Sequence, residues 1–365
     1  MATRTDVAVI GAGIVGLATA YSLQRAGVSV TVYEAGEPGG GQSAGDSRIF
    51  RHAHADPRLA RFAVRSRGLW REWGDDLGAE LVSLDGAVAL GPGVDEKIDA
   101  LAEVNGVDAR RIDVAELAER LPILASHDGP AMLDAGGGSI HASIAVERLV
   151  SRLGDALVRD HVLTVRPTGA GTVEIRTGTR RAEHGYAVVC AGRGTASLAH
   201  GLGLSLPIRN AAHVRVSFDV AGAAPSSLAT LQDSSGAFGE AAVYAAASVD
   251  RTRYGVGIAE EVPVNDDGRS VDPDALQGLA ERTVAYVRRA LPGLDPAPVG
   301  HVHCWVTTLP WGDDGVAVWE HENVALVAGH NLFKQAPALG GVLADLAAGG
   351  ALPEELRPSA RLGHA

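Results

Sequence analysis

Three glycines near the start of the chain, Gly11, Gly13 and Gly16, have the spacing GxGxxG. They follow a β-prone run and open an Ala- and Leu-rich helical segment, and Glu34 lies 18 positions after the third glycine. The first glycine permits a tight turn, the second lets a pyrophosphate approach the helix N-terminus, and the third permits close packing of helix on strand. This context disfavours the alternative, a glycine turn without a ligand. The motif predicts a dinucleotide site in which Glu34 accepts hydrogen bonds from ribose hydroxyls. No Arg or Lys follows Glu34 closely, which disfavours NADP.

Lysines are scarce, since Lys97 and Lys334 are the only two among 32 basic residues. Lys334 lies between a buried-type strand and a helix of small residues. An ordinary surface charge is the usual role of a lysine, but this position and the preference for arginine elsewhere weaken that interpretation. Any lysine chemistry in this chain therefore has only these two candidates.

Cys190 and Cys304 are the only cysteines, too few for a disulfide framework, and they suit a reducing compartment. Cys190 ends a core strand and is interpreted as a packing residue. His301 and His303 precede Cys304, but on a strand the two histidines face away from the cysteine. No metal site is expected.

Hydrophobic periodicity defines the elements that must position these residues. Buried strands are predicted at 6–10, 29–33, 186–192 and 324–329, a hairpin at 162–181, β-rich chain at 210–265, and helices at 17–26, 58–75, 114–121, 141–157, 274–291 and 337–348. Strands of the nucleotide-binding type recur far apart, so the predicted domains are interleaved. The fold class is α/β: a Rossmann-like dinucleotide-binding domain and a β-rich, α+β substrate-binding domain. The first is assigned 1–80, 139–209 and 300–365, and the second 81–138 and 210–299.

Composition and charge exclude several classes of protein. Apolar residues make up 46% and charged residues 21%, as in globular proteins. The net charge of -12 works against nucleic-acid and anionic membrane surfaces. No run of 18 apolar residues is present, and Met1–Arg4 leads into the first strand without a cleavable signal. A cytoplasmic protein without nucleic-acid or membrane partners is expected.

The chain forms further strands of the nucleotide-binding type only at 186–192 and 324–329, whereas an NAD dehydrogenase usually completes a contiguous nucleotide domain. This arrangement resembles FAD oxidoreductases of the D-amino-acid oxidase superfamily, and most closely the branch of monomeric sarcosine, N-methyltryptophan and pipecolate oxidases. Three segments carry the likeness: GDSRIFRH at 45–52, CWVT at 304–307 and GHNLFK at 329–334. The likeness is strongest in residues 5–75 and 300–348 and weak between 81 and 300.

The resemblance implies an FAD cofactor, attached through its 8-methyl carbon to Cys304, which occupies the position of the cysteine in the branch's Cys-x-Tyr-Thr element. A buried structural cysteine is the alternative. The resemblance implies further cofactor contacts at Gly11, Gly13, Ile14, Gly16, Glu34, Ser47, Arg48, Val162, Gly329, Asn331, Leu332, Phe333 and Lys334.

The same resemblance assigns the substrate carboxylate to Arg51 and Lys334, and a further substrate contact to Tyr244. An arginine binds a carboxylate through two hydrogen bonds, and a lysine adds a point charge. Arg48 would lie near the flavin ring, where positive charge stabilises the anionic reduced form. These three residues, Arg48, Arg51 and Lys334, are the candidate catalytic residues.

The sequence departs from the branch around the reacting amine. A lysine linked to oxygen activation is replaced by Gly255, a histidine by Ala259, and the tyrosine of Cys-x-Tyr-Thr by Val306. No lysine occurs between residues 98 and 333, so its loss does not depend on the alignment. These departures make sarcosine itself a doubtful substrate.

The implied reaction is oxidation of the C–N bond of an amino or imino acid, with hydride transfer to flavin N5, an imine product, and reduction of O2 to H2O2. One alternative is a biosynthetic dehydrogenase or desaturase acting on an imino acid or a carrier-tethered amine, with poor O2 reactivity. Another is a non-enzymatic flavoprotein or a subunit of a heteromeric oxidase. The expected partners are a small amine substrate and O2, and the expected state is a monomer or a weak homo-oligomer.

Overall fold

The computed structural model describes residues 6–265 and 269–364, so residues 1–4, where the sequence predicts no cleavable signal, lie outside the described part of the chain. Contacts between residues divide the chain into two interleaved units. The first unit comprises Met1–Ala44, Ile144–Arg209 and Thr307–Ala365, and the second comprises Gly45–Ser143 and Asn210–Val306. Residues 45–80, assigned to the dinucleotide-binding domain from sequence, fall in the second unit.

The α-helices of the described chain are α1 (Ile14–Arg25), α2 (Pro57–Leu77), α3 (Val94–Ala102), α4 (Val114–Arg120), α5 (Ala142–Leu153), α6 (Thr195–Gly201), α7 (Pro273–Ala290) and α8 (Leu332–Ala347). The strands are β1 (Val7–Ile10), β2 (Val30–Glu34), β3 (Ser47–Phe50), β4 (Ala87–Leu90), β5 (Ala109–Arg111), β6 (Ala131–Asp134), β7 (Gly138–His141), β8 (Leu157–Arg159), β9 (Val162–Pro167), β10 (Val173–Thr177), β11 (Arg181–His184), β12 (Tyr186–Val189), β13 (Arg209–Val220), β14 (Thr230–Asp233), β15 (Val243–Ala247), β16 (Arg253–Ile258), β17 (Val262–Pro263), β18 (Leu294–Thr308), β19 (Val316–His321) and β20 (Val324–Gly329). None of the helices in the described residues is long and apolar enough to cross a membrane.

A mostly parallel sheet of order β19-β20-β12-β1-β2-β8 forms the core of the first unit. Its central strand β1 pairs in parallel with β2 on one side and β12 on the other, and all four of its residues are buried. Such uniformly apolar strands are typical of a sheet covered on both faces. Helix α1 packs on α8 so closely that a Cβ at Gly340 would lie 2.6 Å from the carbonyl carbon of Ala18. The α/β prediction is confirmed.

The second unit contains a long, mostly antiparallel sheet of order β17-β13-β16-β15-β14-β4-β6-β5, in which β18 also pairs with β13. One face packs against α7, and the shared apolar core includes Phe218 from β13, Tyr254 from β16 and Tyr286 from α7. A separate antiparallel ribbon, β3 with β7, packs against β15. Because β3 pairs within this unit, the chain after Ala44 belongs here.

Most predicted elements are confirmed, but helices α3 and α6 were not predicted, and several predicted helices differ at their ends. Asp272 caps α7 by accepting a hydrogen bond from the Ala275 amide at 3.0 Å, with Pro273 in the first turn, as predicted. The predicted start of the last helix at residue 337 is wrong, since α8 begins at Leu332 and contains Pro337 in its interior. The left-handed backbone of Asn331, with φ 54°, sets the true start.

Candidate functional site

The glycine turn of the first unit joins β1 to α1 with almost no free space. Gly11 has φ +101°, and a Cβ there would lie 2.5 Å from the carbonyl oxygen of Cys190. A Cβ at Gly16 would lie 1.9 Å from the carbonyl oxygen of Gly11, so the start of α1 packs directly on the turn. A Cβ at Gly13, in contrast, would meet only the Ser43 hydroxyl, at 3.4 Å. The first and third glycines are therefore required by packing, and the second leaves the helix N-terminus open to approach.

Glu34 ends β2 beside this turn. Its carboxylate accepts hydrogen bonds from the Ala12 amide at 2.7 Å and the Gly36 amide at 2.8 Å. A carboxylate offers about four acceptor positions, so it keeps capacity for ribose hydroxyls. The glycine turn and Glu34 thus form one structure, in which the carboxylate is held in place by the backbone.

Ser43 is a site residue that sequence reasoning missed. Its hydroxyl accepts a hydrogen bond from the Ile14 amide at 2.9 Å, in the first turn of α1. The two residues are 29 positions apart, and the GxGxxG motif gives no signal for this contact. Ser43 satisfies one of the backbone amides that a helix N-terminus leaves without an intrahelical partner.

The loop before α8 carries the last group of predicted cofactor residues. Gly329 ends β20, and Leu332 and Phe333 open the helix. The side-chain Nδ2 of Asn331 donates a hydrogen bond to Oδ1 of Asp314 at 2.6 Å. Lys334, in the first turn of α8, is only 4% exposed. Val162, another predicted contact, lies in β9 and packs into the apolar core of the first unit.

The Lys334 ammonium acts on its surroundings. Burial lowers the pKa of His330, Asp314 and the hydrogen bond to Asp313 oppose that shift, and the nearby positive charge of Lys334 adds to the lowering. The Nδ1–H group of His330 donates a hydrogen bond to the carbonyl oxygen of Asp313 at 2.8 Å. Lys334 is thus a buried cation beside an uncharged imidazole at neutral pH.

In the second unit, strand β3 carries Ser47 and Arg48, and Arg51 follows it. Arg48 donates from Nη1 to the Ser47 carbonyl oxygen at 2.8 Å. Gly45 has φ +103°, and a Cβ there would lie 3.3 Å from Arg48 Nη1, so the glycine leaves room for the guanidinium. Lys97 of α3 lies close to Arg51: burial lowers the pKa of Lys97, and the charge of Arg51 lowers it further. Arg51 belongs to the second unit, and Lys334 belongs to the first.

Side chains alternate along β13 between two chemically different faces of the sheet. Val214, Val216 and Phe218 point into the apolar core. Arg215, between them in sequence, lies on the opposite face and is 7% exposed. The large sheet therefore has one apolar face and one face that carries a buried positive charge.

Arg215 is held by main-chain and hydroxyl oxygens. Its guanidinium donates to the carbonyl and hydroxyl oxygens of Ser47, the latter at 3.1 Å, and to the carbonyl oxygens of Ala246 at 3.3 Å and Gly255 at 3.2 Å. Arg48 and Arg215 thus donate to the same carbonyl oxygen of Ser47. Sequence reasoning missed Arg215, although a charged residue between Val214 and Val216 in a strand was the available signal.

Two glycines of β16 make room on this face. A Cβ at Gly255 would lie 2.6 Å from Arg215 Nε, and a Cβ at Gly257 would lie 2.5 Å from Tyr244 Cζ. Tyr244, the predicted substrate contact, and Arg215 therefore lie over two alternate glycines on one face of the same strand. Position 255 itself carries no cation, as the sequence indicates, and the guanidinium of a neighbouring strand occupies the space beside it.

Cys304 on β18 completes the cluster. It is half-buried, and it lies close enough to interact electrostatically with both Arg215 and Tyr244. Burial raises the pKa of Tyr244, so its hydroxyl is neutral at physiological pH. Arg215, Tyr244, Cys304, Arg48 and Ser47 are called the sheet-face cluster below. The described ranges contain no group of three or more His, Cys, Asp or Glu side chains that could hold a metal ion.

Comparison with known proteins identifies the family. Residues 6–346 match the family described as FAD dependent oxidoreductase. The chain belongs to this family. The match includes both the glycine turn of the first unit and the sheet-face cluster of the second.

Among relatives of this FAD dependent oxidoreductase, human peroxisomal sarcosine oxidase is 27% identical over 93% of this chain and 91% of its own length. The mouse peroxisomal enzyme is 29% identical over 57% of this chain and 56% of its own, so this match spans about half of that relative. Monomeric sarcosine oxidase of Bacillus sp. strain B-0618 is 36% identical over 25% of this chain and 24% of its own. Among solved structures, NikD, an amino acid oxidase of nikkomycin biosynthesis, superimposes with a TM-score of 0.81 at 20% identity, covering 98% of this chain and 96% of its own. That likeness confirms the fold.

The residues of the first unit fit the FAD of this family. The turn at Gly11 and Gly16 brings backbone amides to the start of α1, and Gly13 presents no side chain there. Glu34 is anchored beside the turn with acceptor capacity remaining. These groups would hold the adenosine and pyrophosphate parts of the cofactor.

Proposed function

We propose that this chain is an FAD-dependent oxidase acting on the C–N bond of an amino or imino acid. The observation that carries the proposal is the likeness to human peroxisomal sarcosine oxidase, which extends over 93% of the chain. When bound, FAD supplies the hydride acceptor: the carbon next to nitrogen loses a hydride, the nitrogen loses a proton, and an imine results. O2 then takes two electrons and two protons and becomes H2O2.

We assign the substrate carboxylate to Arg51 and Lys334, and a further substrate contact to Tyr244. Burial of Lys334 to 4% exposure supports this assignment, because an ammonium in so dry an environment interacts strongly with an anion. Arg48 contributes positive charge in the second unit. These residues bind and orient the substrate, and the cofactor carries the oxidation.

We further propose that Cys304 holds FAD covalently. Its half-buried thiol lies among the polar residues of the sheet-face cluster, whereas Cys190 is fully packed in the first unit. Joining Sγ to the 8-methyl carbon removes one hydrogen from each, and the two electrons and two protons released pass to O2. We also propose a cytoplasmic location and a monomer or weak homo-oligomer, and the two free thiols support the location.

A second candidate function is a flavin dehydrogenase of amino or imino acids that reacts poorly with O2. The glycine at position 255, where the resemblance gives a lysine linked to oxygen activation, favours it. The two candidates differ in their electron acceptor and share the substrate chemistry.

The test begins with the cofactor of the purified protein. Acid denaturation should leave yellow colour on the polypeptide, with a mass increase of one FAD; colour released entirely into the supernatant would overturn the covalent link. A protein that contains no flavin would overturn the whole proposal. Anaerobic mixing with proline, pipecolate, sarcosine, glycine and N-methyltryptophan should bleach the flavin for at least one of them. Oxygen uptake against reduction of an artificial acceptor then separates oxidase from dehydrogenase.

Substitution of Arg51 tests the carboxylate assignment. We expect Arg51→Ala to lose about 2–5 kcal/mol of substrate binding, because a paired charge is left without its partner. Flavin bleaching at low substrate should fall accordingly, while Arg61→Ala, an exposed arginine of α2, should behave as wild type. Equal activity of the wild type toward the decarboxylated amine would contradict the assignment.

A further inference from the structure

Arg215 is a buried cation whose acceptors are all neutral. It is 7% exposed, and its hydrogen bonds go to oxygens of Ser47, Ala246 and Gly255. Its Nε has no hydrogen-bond partner among the described residues. Across residues 6–265 and 269–364, no carboxylate forms an ion pair with it. Buried charges are usually paired with an opposite charge, which offsets the cost of removing them from water. Neutral acceptors offset that cost only in part for Arg215.

Arg48, the neighbour that acts most strongly on Arg215, is itself a cation. Burial lowers the pKa of Arg215, and the neighbouring Arg48 lowers it further. The side chains of Tyr244, Cys304 and Tyr254 act in the opposite direction and raise the pKa of Arg215, each less strongly than Arg48 lowers it. Burial raises the pKa of both tyrosines, so they are neutral at physiological pH. The cluster is therefore suited to an anion.

The guanidinium also occupies a specific place. A Cβ at Gly255 would lie 2.6 Å from Nε, 2.9 Å from Nη2 and 3.0 Å from Cζ of Arg215. Arg215 pairs directly with Gly257 across the strands, and Gly255 lies diagonally beside it on the same face. The guanidinium of Arg215, which belongs to β13, thus occupies the space that the Cβ of a larger residue at position 255 would need.

We propose that Arg215 supplies the positive charge that stabilises anionic states of the flavin held at Cys304, in the place of the lysine that the resemblance gives to position 255. The inference rests on the proposed function, because it requires a flavin at Cys304. Substrate oxidation brings two electrons and a proton to the site as a hydride, and the substrate nitrogen releases the second proton. Reduction of O2 removes two electrons and two protons as H2O2. Arg215 keeps its proton in both halves and acts through its charge.

Removal and transfer of the charge test this role in the holoenzyme. Arg215→Met removes the charge at similar length, and Arg215→Lys keeps it. The double variant Arg215→Ala with Gly255→Lys moves the cation to the neighbouring strand, because loss of the guanidinium clears the space above residue 255. The matched control is Arg253→Met, because Arg253 is an exposed arginine of the same sheet that forms an ion pair with Asp219.

The principal measurement is the dissociation constant of sulfite, whose adduct places negative charge on the oxidised flavin without turnover. We expect Arg215→Met to weaken sulfite binding by about a hundredfold, the size of effect seen when one preorganised donor is lost. The flavin midpoint potential should fall, and reoxidation by O2 should slow. Arg215→Lys should retain most of the affinity, the double variant should recover at least part of it, and Arg253→Met should match wild type.

Unchanged sulfite binding and reoxidation in flavin-loaded Arg215→Met would overturn the inference, while a wild type that still oxidises amino acids would leave the proposed function intact. A wild type without flavin would instead contradict the proposed function. If Arg215→Met fails to fold or to hold flavin, the double variant decides. Recovery of sulfite binding there supports the role of the charge, and weak binding in a folded, flavin-loaded double variant overturns it.

Discussion

The glycine turn and the sheet-face cluster differ in how the chain assembles them. Gly11, Gly13 and Gly16 lie within six residues, and Glu34 joins them from the next strand. The sheet-face cluster brings together residues from β3, β13, β15 and β18, over two glycines of β16. A site formed along the chain is visible as a spacing, whereas a site formed across strands becomes visible only when the register of the sheet is known.

The two regions also differ in what their glycines contact. A Cβ at Gly16 would meet the backbone of Gly11, while Cβ atoms at Gly255 and Gly257 would meet the ends of long side chains. An overlap with the backbone of a packed turn cannot be relieved by a second substitution, because every residue has a backbone. An overlap with a side chain can be relieved by substituting that side chain with a smaller one. Substitutions in the two regions should therefore differ in whether a second substitution can restore stability.

The largest effect is expected for Gly16→Ala. Its Cβ would lie 1.9 Å from the Gly11 carbonyl oxygen, and relieving this overlap requires α1 to move away from the turn. We expect a loss of about 3 kcal/mol or more in the free energy of unfolding, together with loss of flavin. Urea denaturation followed by tryptophan fluorescence measures the free energy of unfolding, and absorbance at the flavin maximum measures the flavin content.

Gly41→Ala is the matched control, because a Cβ at Gly41 would meet nothing within 4 Å. It should keep both stability and flavin. Equal stability of the Gly16 and Gly41 variants would show that the turn is more adaptable than its packing indicates.

A smaller and reversible effect is expected for Gly257→Ala. The new methyl group would lie 2.5 Å from Tyr244 Cζ, which should cost about 1–3 kcal/mol of unfolding free energy. Adding Tyr244→Ala removes the overlap, so the two substitutions should couple favourably by at least about 1 kcal/mol in a double-mutant cycle. Gly278→Ala, at an open position of α7, should be neutral or slightly stabilising. If the effects of the two substitutions on the unfolding free energy are additive, a second substitution does not restore stability here, and the two regions do not differ in this respect.

The buried thiol of the first unit should make stability depend on pH. Burial raises the pKa of Cys190 from 9.0 to about 12, against a weaker lowering by its hydrogen bond with Thr19. Between these values the unfolded thiol ionises while the folded one stays protonated. Stability therefore falls as pH rises from 9 to 12, by at most about 1.4 kcal/mol per pH unit from this group.

The comparison of wild type with Cys190→Ala isolates that contribution from other groups. The unfolding free energy of the variant, measured by urea denaturation at pH 8, 9.5 and 10.5, should decline less steeply than that of wild type. Parallel declines would contradict the assignment of the alkaline loss to Cys190.

The smallest effect is expected at the start of α7, which the sequence predicted correctly. Asp272→Ala removes the acceptor for the Ala275 amide and should cost about 1 kcal/mol. Asp272→Asn keeps an acceptor and should cost less. A lowered melting temperature in the alanine variant alone would support the cap, and identical melting of both variants would contradict it.

Local signals explain how far the sequence predicted this molecule. The GxGxxG spacing, the strand at 324–329 and the cap at Asp272 each depend on neighbours in sequence, and the structure confirms the elements they predict. Arg215 was missed because its importance comes from Gly255, 40 positions away, through strand pairing. The start of α8 was misplaced because Pro337 resembles a helix start, whereas the left-handed Asn331 sets the boundary.

The interleaving of the two units has a consequence for synthesis on the ribosome. All residues of the second unit have been made once Val306 is reached, but β12 still lacks its partner β20, and α1 still lacks α8. At about 5–20 residues per second, the glycine turn waits roughly 15–65 s between its own synthesis and the arrival of Val324. During that interval the nascent first unit exposes a strand edge and an apolar helix face. A chain that stops before Val324 should therefore lose the nucleotide site, although every glycine of the turn is present.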